Sequence, residues 1–337
     1  MNGEVVRPQR LWLHAGLFLL TFVTTTMAGA LQNGIGFLSL LVRPSDLASG
    51  LPFSCTLMTI LLVHEMGHYV MSRRYGVDAT LPFFIPGPSF IGTFGAFIKM
   101  QSRMPDRKAL FDIGAAGPIA GLIVSIPAAI LGLQLSTVVS ISDGGVGLGD
   151  SLLFKLLGLL TWGQLPEGSD ILLHPVAFAG WVGFFVTAIN LLPAGQLDGG
   201  HVSYALFGGR HVWVSRLTVL LLFTFGYFWG WLGWIVWGVL ILALTGVRHP
   251  PPVDPDTPLD PKRKIVGWLL LATLAVTFMP VPFTFVEPGE REERPRAPEG
   301  REGLQRTNGK EVIDERTTEL ASILSHDHTR RSRALHL

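Results

Sequence analysis

Five residues stand at spacings that chemistry can use. His64 and His68 are four apart in His64-Glu65-Met66-Gly67-His68, so on a helix they share one face and can grip one ion together. Glu65 projects beside them and can reach a water on that ion, which is the arrangement of a metal-activated nucleophile with a general base. Zinc is the expected metal, one per chain, and two histidines leave it one short of the three protein ligands usual in a hydrolytic site. The run around the motif is apolar enough to cross a membrane. An ionisable triplet there costs a few kcal/mol per charged group, so it is expected only where it is used.

A second constellation lies at Asn190-Leu-Leu-Pro193-Ala-Gly195-Gln-Leu-Asp198-Gly199-Gly200-His201. Pro193 and the glycines must break a helix, which exposes backbone and side chains toward the interior. Asp198 emerges at the inner end of an inward-running span and is the candidate third ligand; the rival reading makes it the cap of the next helix. His201 competes for the metal or supports it from behind.

The elements that must position these residues are spans. Residues 11–31 carry no charge and are long enough for a bilayer crossing, with a cleaved signal sequence ending near residues 28–30 as the alternative. Arg7 and Arg10 put the N-terminus in the cytoplasm. The second span, 51–72, ends at Arg73 and Arg74, a cytoplasmic boundary that leaves His64 about 14 Å inside at 1.5 Å per residue. Residues 79–100 are apolar as well, yet Pro82, Pro86 and Pro88 with Gly87, Gly92 and Gly95 forbid a helix. A hairpin or re-entrant segment is expected, and at membrane depth it survives only when buried by protein or lining a watery cavity.

Further spans are expected at 109–135 and 171–192, with an acidic outer loop between them. Within that loop residues 151–162 form a short surface helix. Small residues from Gly114 to Gly121 make a packing face, and Asp112 near the start of its span is either an interfacial cap or a partner that supports the metal ligands from behind. Residues 212–246 exceed one bilayer thickness and form two short spans turning near Trp229-Gly-Trp231, or else one tilted helix. A last span covers 266–285. The fold class is therefore an α-helical polytopic membrane protein with about six or seven transmembrane helices and a membrane-embedded β segment. The organisation is 1–50, an N-terminal helix and outer loop; 51–209, a catalytic core; 210–286, C-terminal helices; and 287–337, a disordered charged tail in which His326 and His328 belong to a mobile polar stretch.

Composition agrees. The chain is 48% hydrophobic and 15% charged with mean hydropathy +0.42, far from a soluble domain's balance. Net charge of +1 gives no electrostatic footprint for nucleic acid. The single cysteine, Cys55, excludes an internal disulfide and a cysteine-based zinc cluster.

His64-Glu65-Met-Gly-His68 on a membrane helix, followed by Asn190-x-x-Pro193-x-x-x-x-Asp198-Gly199, resembles the site-2 protease family of intramembrane zinc metalloproteases. Gly92-Thr-Phe-Gly95-Ala resembles its membrane-embedded β segment and Gly117-Pro-Ile-Ala its packing motif. The resemblance covers about residues 51–209 and is greatest to members without a PDZ domain, including plastid homologues and their bacterial relatives. It implies that His64, His68 and Asp198 ligate zinc, that Glu65 activates water, and that Asn190 holds the scissile carbonyl or its oxyanion. The implied partner is a transmembrane helix of another membrane protein, often an anti-sigma factor or membrane-tethered regulator. The implied setting is the lipid bilayer of a prokaryotic plasma membrane. The substrate helix must unwind, and residues 79–100 can pair with the unwound stretch as an added strand. Two rivals remain: a membrane metallopeptidase of the type that trims prenylated C-termini, and a non-catalytic metal-binding protein or transporter.

Overall fold

A computed structural model describes residues 10–140 and 145–286 of the chain. Residues 1–9 with the basic start, Asp143 of the outer loop, and the whole tail from 287 lie outside the described residues.

The architecture is mostly helical. α1 (Leu11–Gln32) is followed by the short α2 (Phe37–Val42), a 3-10 segment Pro44–Gly50 and α3 (Leu51–Arg74). β1 (Phe83–Pro86) and β2 (Thr93–Phe97) then pair antiparallel, with Phe84 opposite Ala96 and an irregularity at Ile85/Pro86. α4 (Arg107–Gln134) follows. β3 (Thr137–Ser140), β4 (Gly145–Leu148), α5 (Leu152–Trp162) and β5 (Ser169–Leu172) form the connection to α6 (Pro175–Asn190). α7 (Asp198–Phe207), α8 (His211–Phe228), α9 (Leu232–Leu240), α10 (Pro261–Thr277) and β6 (Phe283–Val286) complete the chain. β3 pairs with β5 and β4 with β6, both antiparallel.

Among the described residues, four helical stretches are long and apolar enough to cross a membrane: Leu11–Gln32, Pro44–Arg74, Arg107–Gln134 and Asp198–Phe228. Leu152–Trp162, Pro175–Asn190 and Leu232–Thr245 are apolar but shorter. The outward faces are apolar too, with Ile123, Leu131, Leu217, Leu220 and Leu269 all exposed. A contiguous apolar exterior of this kind suits hydrocarbon, not water.

Several boundaries depart from the sequence reading, each for a local reason. α6 starts at Pro175 instead of 171, because residues 169–172 are taken by pairing with 137–140, and His174 caps the helix by accepting from Val176 N. The last helix begins at Pro261, not 266: Asp260 is its N-cap, accepting from Arg263 N, and proline occupies the first position, where its missing N–H costs nothing. It ends at Thr277, ahead of Pro280 and Pro282, and residues 283–286 become a strand. The stretch from 212 to 246 turns at 229–231, where Gly230 takes φ +70°, so it is two helices and not one. Asp106, not Asp112, caps α4, accepting from Ala109 N.

The core is built around α3, α4 and α6. Phe53, Leu57, Trp181, Phe184 and Leu133 are fully buried there. Phe53, Phe178 and Trp181 stack in sequence, with ring centroids 5.3 and 5.8 Å apart. α1 braces the strands from the side: His14 Nδ1–H donates to the Pro82 carbonyl (3.1 Å) and the Thr24 hydroxyl to that of Gly92 (2.7 Å). Phe18 meets Phe84 edge-on between these two bonds.

Candidate metal centre

α3 presents His64, Glu65 and His68 inward, all buried. They fit only because α4 has no side chains opposite them. A Cβ at Gly117 would stand 2.0 Å from His68 Nε2, and one at Gly121 would stand 3.0 Å from His64 Nδ1. A Cβ at Gly67 of α3 would stand 2.6 Å from the Ala116 carbonyl. The small-residue face expected from Gly114 to Gly121 therefore packs against the histidine helix itself. α4 also orients one ring: His68 Nδ1 lies 2.7 Å from the Ile113 carbonyl. A carbonyl only accepts, so Nδ1 carries a proton, and in the neutral ring His68 Nε2 is left as a lone pair.

The second constellation arrives from the opposite side. α6 ends at Asn190, and the chain turns sharply through Pro193 and Gly195 (φ +54°) before α7 opens at Asp198. Gly199 permits this turn, since a Cβ there would lie 1.9 Å from the Leu191 carbonyl. His211 of α8 ties the turn down. Its Nε2–H donates to Ser215 Oγ (3.0 Å), which in turn donates to the Pro193 carbonyl (3.3 Å); Ser203 donates to Nδ1 (2.5 Å).

The result is a close triangle. His64 Nε2 to Asp198 Oδ2 is 3.2 Å, His68 Nε2 to the same oxygen 3.3 Å, and His64 Nε2 to His68 Nε2 3.2 Å. A tetrahedral ion with bonds of about 2.0–2.1 Å holds its ligands about 3.3–3.4 Å apart. With His68 neutral, its Nε2 and the Asp198 oxygen are both acceptors, an arrangement that a cation between them satisfies. By spacing and by donor chemistry the three atoms fit zinc, and they are the one group of three or more potential ligands among the described residues. Asn190 Nδ2 stands 3.4 Å from His64 Nε2, at the triangle's edge.

A cavity of about 190 Å³ opens beside the triangle. Glu65, Asn190, His201, Ala96 and Ile98 line it, and Glu65 is in hydrogen-bonding reach of the Ile98 backbone. The strand segment after Gly95 therefore forms one wall of the site. A larger cavity, about 640 Å³, lies among Gln32, Phe90, Asp150, Phe154 and Asp170, and none of the five site residues reaches it.

All five residues singled out in the sequence thus meet at one cavity. Asp198 is the first residue of α7 but does not cap it: Leu197 holds the N-cap position, no side chain makes a capping bond, and the Asp198 carboxylate meets the two histidines instead. His201 stands apart from the triangle, with Nδ1 2.5 Å from His249 Nε2. Asp112 is neither cap nor neighbour of the metal site. It accepts from Tyr75 (2.5 Å) and from Arg263 Nε and Nη2 (2.8 and 2.6 Å). Burial and the Asp112 bond push the Tyr75 phenol above its usual pKa. No local signal reveals the Asp112–Arg263 pair, which spans 151 residues.

Residues 52–232 match peptidase family M50. The chain is 32% identical over 240 residues to the "Probable zinc metalloprotease EGY1, chloroplastic" of Arabidopsis thaliana, covering 69% of this chain and 43% of that protein. It is 30% identical over 290 residues to the "Probable zinc metalloprotease EGY2, chloroplastic" of the same plant, covering 81% and 50%. It is also 30% identical over 280 residues to the plant's "Probable zinc metallopeptidase EGY3, chloroplastic", covering 77% and 48%. The chain thus spans half or less of the length of these relatives. Their names are plastid names and lend no support to a prokaryotic plasma membrane; what stands is the set of helices able to cross a membrane.

Proposed function

The chain belongs to peptidase family M50, and from that premise we propose that it is an intramembrane zinc endopeptidase that hydrolyses peptide bonds within transmembrane segments of other membrane proteins. The observation that carries this reading is the triangle of His64, His68 and Asp198 with Glu65 in the same cavity, on helices long and apolar enough for a bilayer. His64, His68 and Asp198 hold the metal. Zinc bound there supplies a Lewis acid for the scissile carbonyl and lowers the pKa of a water. Glu65 takes the proton from the attacking water at its carboxylate and returns it to the leaving amine. Asn190 donates from Nδ2 to the oxygen on which negative charge develops.

The fuller architecture belongs to the same proposal. Six or seven helices cross the bilayer, the β1–β2 pair sits at membrane depth, and residues 51–209 form the catalytic core between an N-terminal helix and the C-terminal helices. The substrate is a transmembrane segment that unwinds before cleavage, in a protein of the anti-sigma or membrane-tethered regulator kind. A transporter would need donor groups continuing along a path, whereas among the described residues one converging group is found.

The test is cleavage of a model transmembrane substrate by purified protein. Glu65→Gln is expected to abolish cleavage while zinc stays near one per chain, and a chelator should stop the unmodified enzyme until zinc is restored. Undiminished cleavage by Glu65→Gln would refute the mechanism.

A further inference from the structure

One more side chain on the cavity wall has a protonation pattern that its partners dictate. His249 lies in the connection between α9 and α10, with Nδ1 2.6 Å from the Pro250 carbonyl. That oxygen accepts, so Nδ1 carries the proton and the neutral ring offers Nε2 as an acceptor. Burial lowers the pKa of His249 below the usual imidazole value, which keeps the ring neutral near pH 7. His201 Nδ1, 2.5 Å from His249 Nε2, must then be the donor. In the neutral His201 ring Nε2 then carries no proton. Among the described residues no protein group bonds to that nitrogen, and His201 lines the same cavity as Glu65 and Asn190.

The surroundings hold both rings in place. Tyr204 and His211 pack around His249 with ring centroids 5.2 and 6.0 Å away. A Cβ at Gly114 would stand 2.5 Å from His201 Cβ, so α4 is bare where the ring's stem passes. A neutral histidine held in one tautomer and facing a cavity presents a fixed acceptor. An unwound peptide brings carbonyls and N–H groups into that cavity in equal number, and an N–H left unpaired away from water is costly. Asn190 can answer a carbonyl through Nδ2, and His201 Nε2 adds an acceptor for an N–H on the same cavity wall.

We propose that His201 is a substrate-contacting residue that accepts a hydrogen bond at Nε2 from a main-chain N–H of the unwound substrate, with His249 as the positioning residue that fixes its tautomer. The proposal rests on the protease reading above.

Kinetics on the full-length protein test it. His201→Ala is expected to lower kcat/KM for a model transmembrane substrate about tenfold, the worth of one such bond. The loss should lie mainly in KM, with zinc near one per chain and an unchanged melting temperature. His201→Gln, whose side-chain oxygen reaches the Nε2 position, should recover most of the loss. Nitrogen-15 NMR of histidine-labelled, unmodified protein should show His201 protonated at Nδ1, and His249→Ala should turn that signal into a mixture of tautomers. An unchanged KM in His201→Ala, loss of zinc in that variant, or an Nε2-protonated ring in the unmodified protein would each overturn the proposal. If Glu65→Gln cleaves normally, the protease reading itself fails, which a His201 result alone cannot produce.

Discussion

At the scale of single residues, the metal site depends as much on absent side chains as on present ones. Gly117 is the sharpest case. A methyl group there would lie within bonding distance of His68 Nε2, so Gly117→Ala must push the ring off its axis or separate α3 from α4. Overpacking of this kind costs about 1–3 kcal/mol; a lower melting temperature and zinc below one per chain are expected by metal analysis, and a variant with full zinc would show that the helices part easily. Asp198→Ala removes one corner of the triangle and leaves two imidazoles on one helix. Zinc content should then fall well below one per chain, while a wild-type value would move the third ligand elsewhere. These residues were legible as candidates because each residue type is rare in an apolar run and their spacings suit one shared site. The tautomers of His68 and His201 were not, since they depend on the carbonyl of Ile113 and the ring of His249, 45 and 48 residues away.

At the scale of elements, α10 is fastened to the core by a contact that its apolar sequence does not announce. Arg263, in its first turn, bridges Asp112 of α4 and Asp260 of its own cap, and Tyr75 just past α3 joins them. Asp112 and Arg263 are largely buried, at 18% and 29% side-chain exposure, so removing one leaves the other poorly solvated. Asp112→Ala is expected to destabilise the protein by about 1–3 kcal/mol, read as a fall in melting temperature, with the Asp112→Ala/Arg263→Ala double variant losing less than the sum of the singles. Additive losses would mean that the pair is idle. The helix ends show where a hydropathy reading succeeds and fails. Pro193 with Gly195 marks a break that no run of leucines can hide, and Asp260-Pro261 is a start signal of equal strength, yet hydropathy alone begins that helix five residues late. Ile171 and Leu172 look like the head of a span and are instead strand, because a partner at 137–140 lies beside them. Partner strands are a non-local fact, and periodicity within one segment does not contain them.

At the scale of the whole molecule, the site lies toward one end of the helices that carry it. His64 and His68 are in the last third of α3, near Arg73 and Arg74, and Asp198 opens α7 after α6 has run its length. α4 is long enough for a full crossing: its 28 residues reach about 42 Å at 1.5 Å per residue, more than the about 30 Å of a hydrocarbon core. One crossing by α4 therefore requires that the chain just before it and the loop after α5 face opposite aqueous phases. Gln101 and Gln164 are exposed at those two places, and Cys55 is the only native cysteine to remove. In a Cys55→Ala background, Gln101→Cys and Gln164→Cys should react with a membrane-impermeant maleimide from opposite faces of sealed vesicles. Gln101 lies in sequence between the basic residues Arg73, Arg74 and Arg103, so by the positive-inside rule Gln101→Cys is expected to label from the cytoplasmic face. Labelling of both from the same face would mean that α4 does not cross, and the metal site could not then lie within the bilayer between α3, α4 and α7.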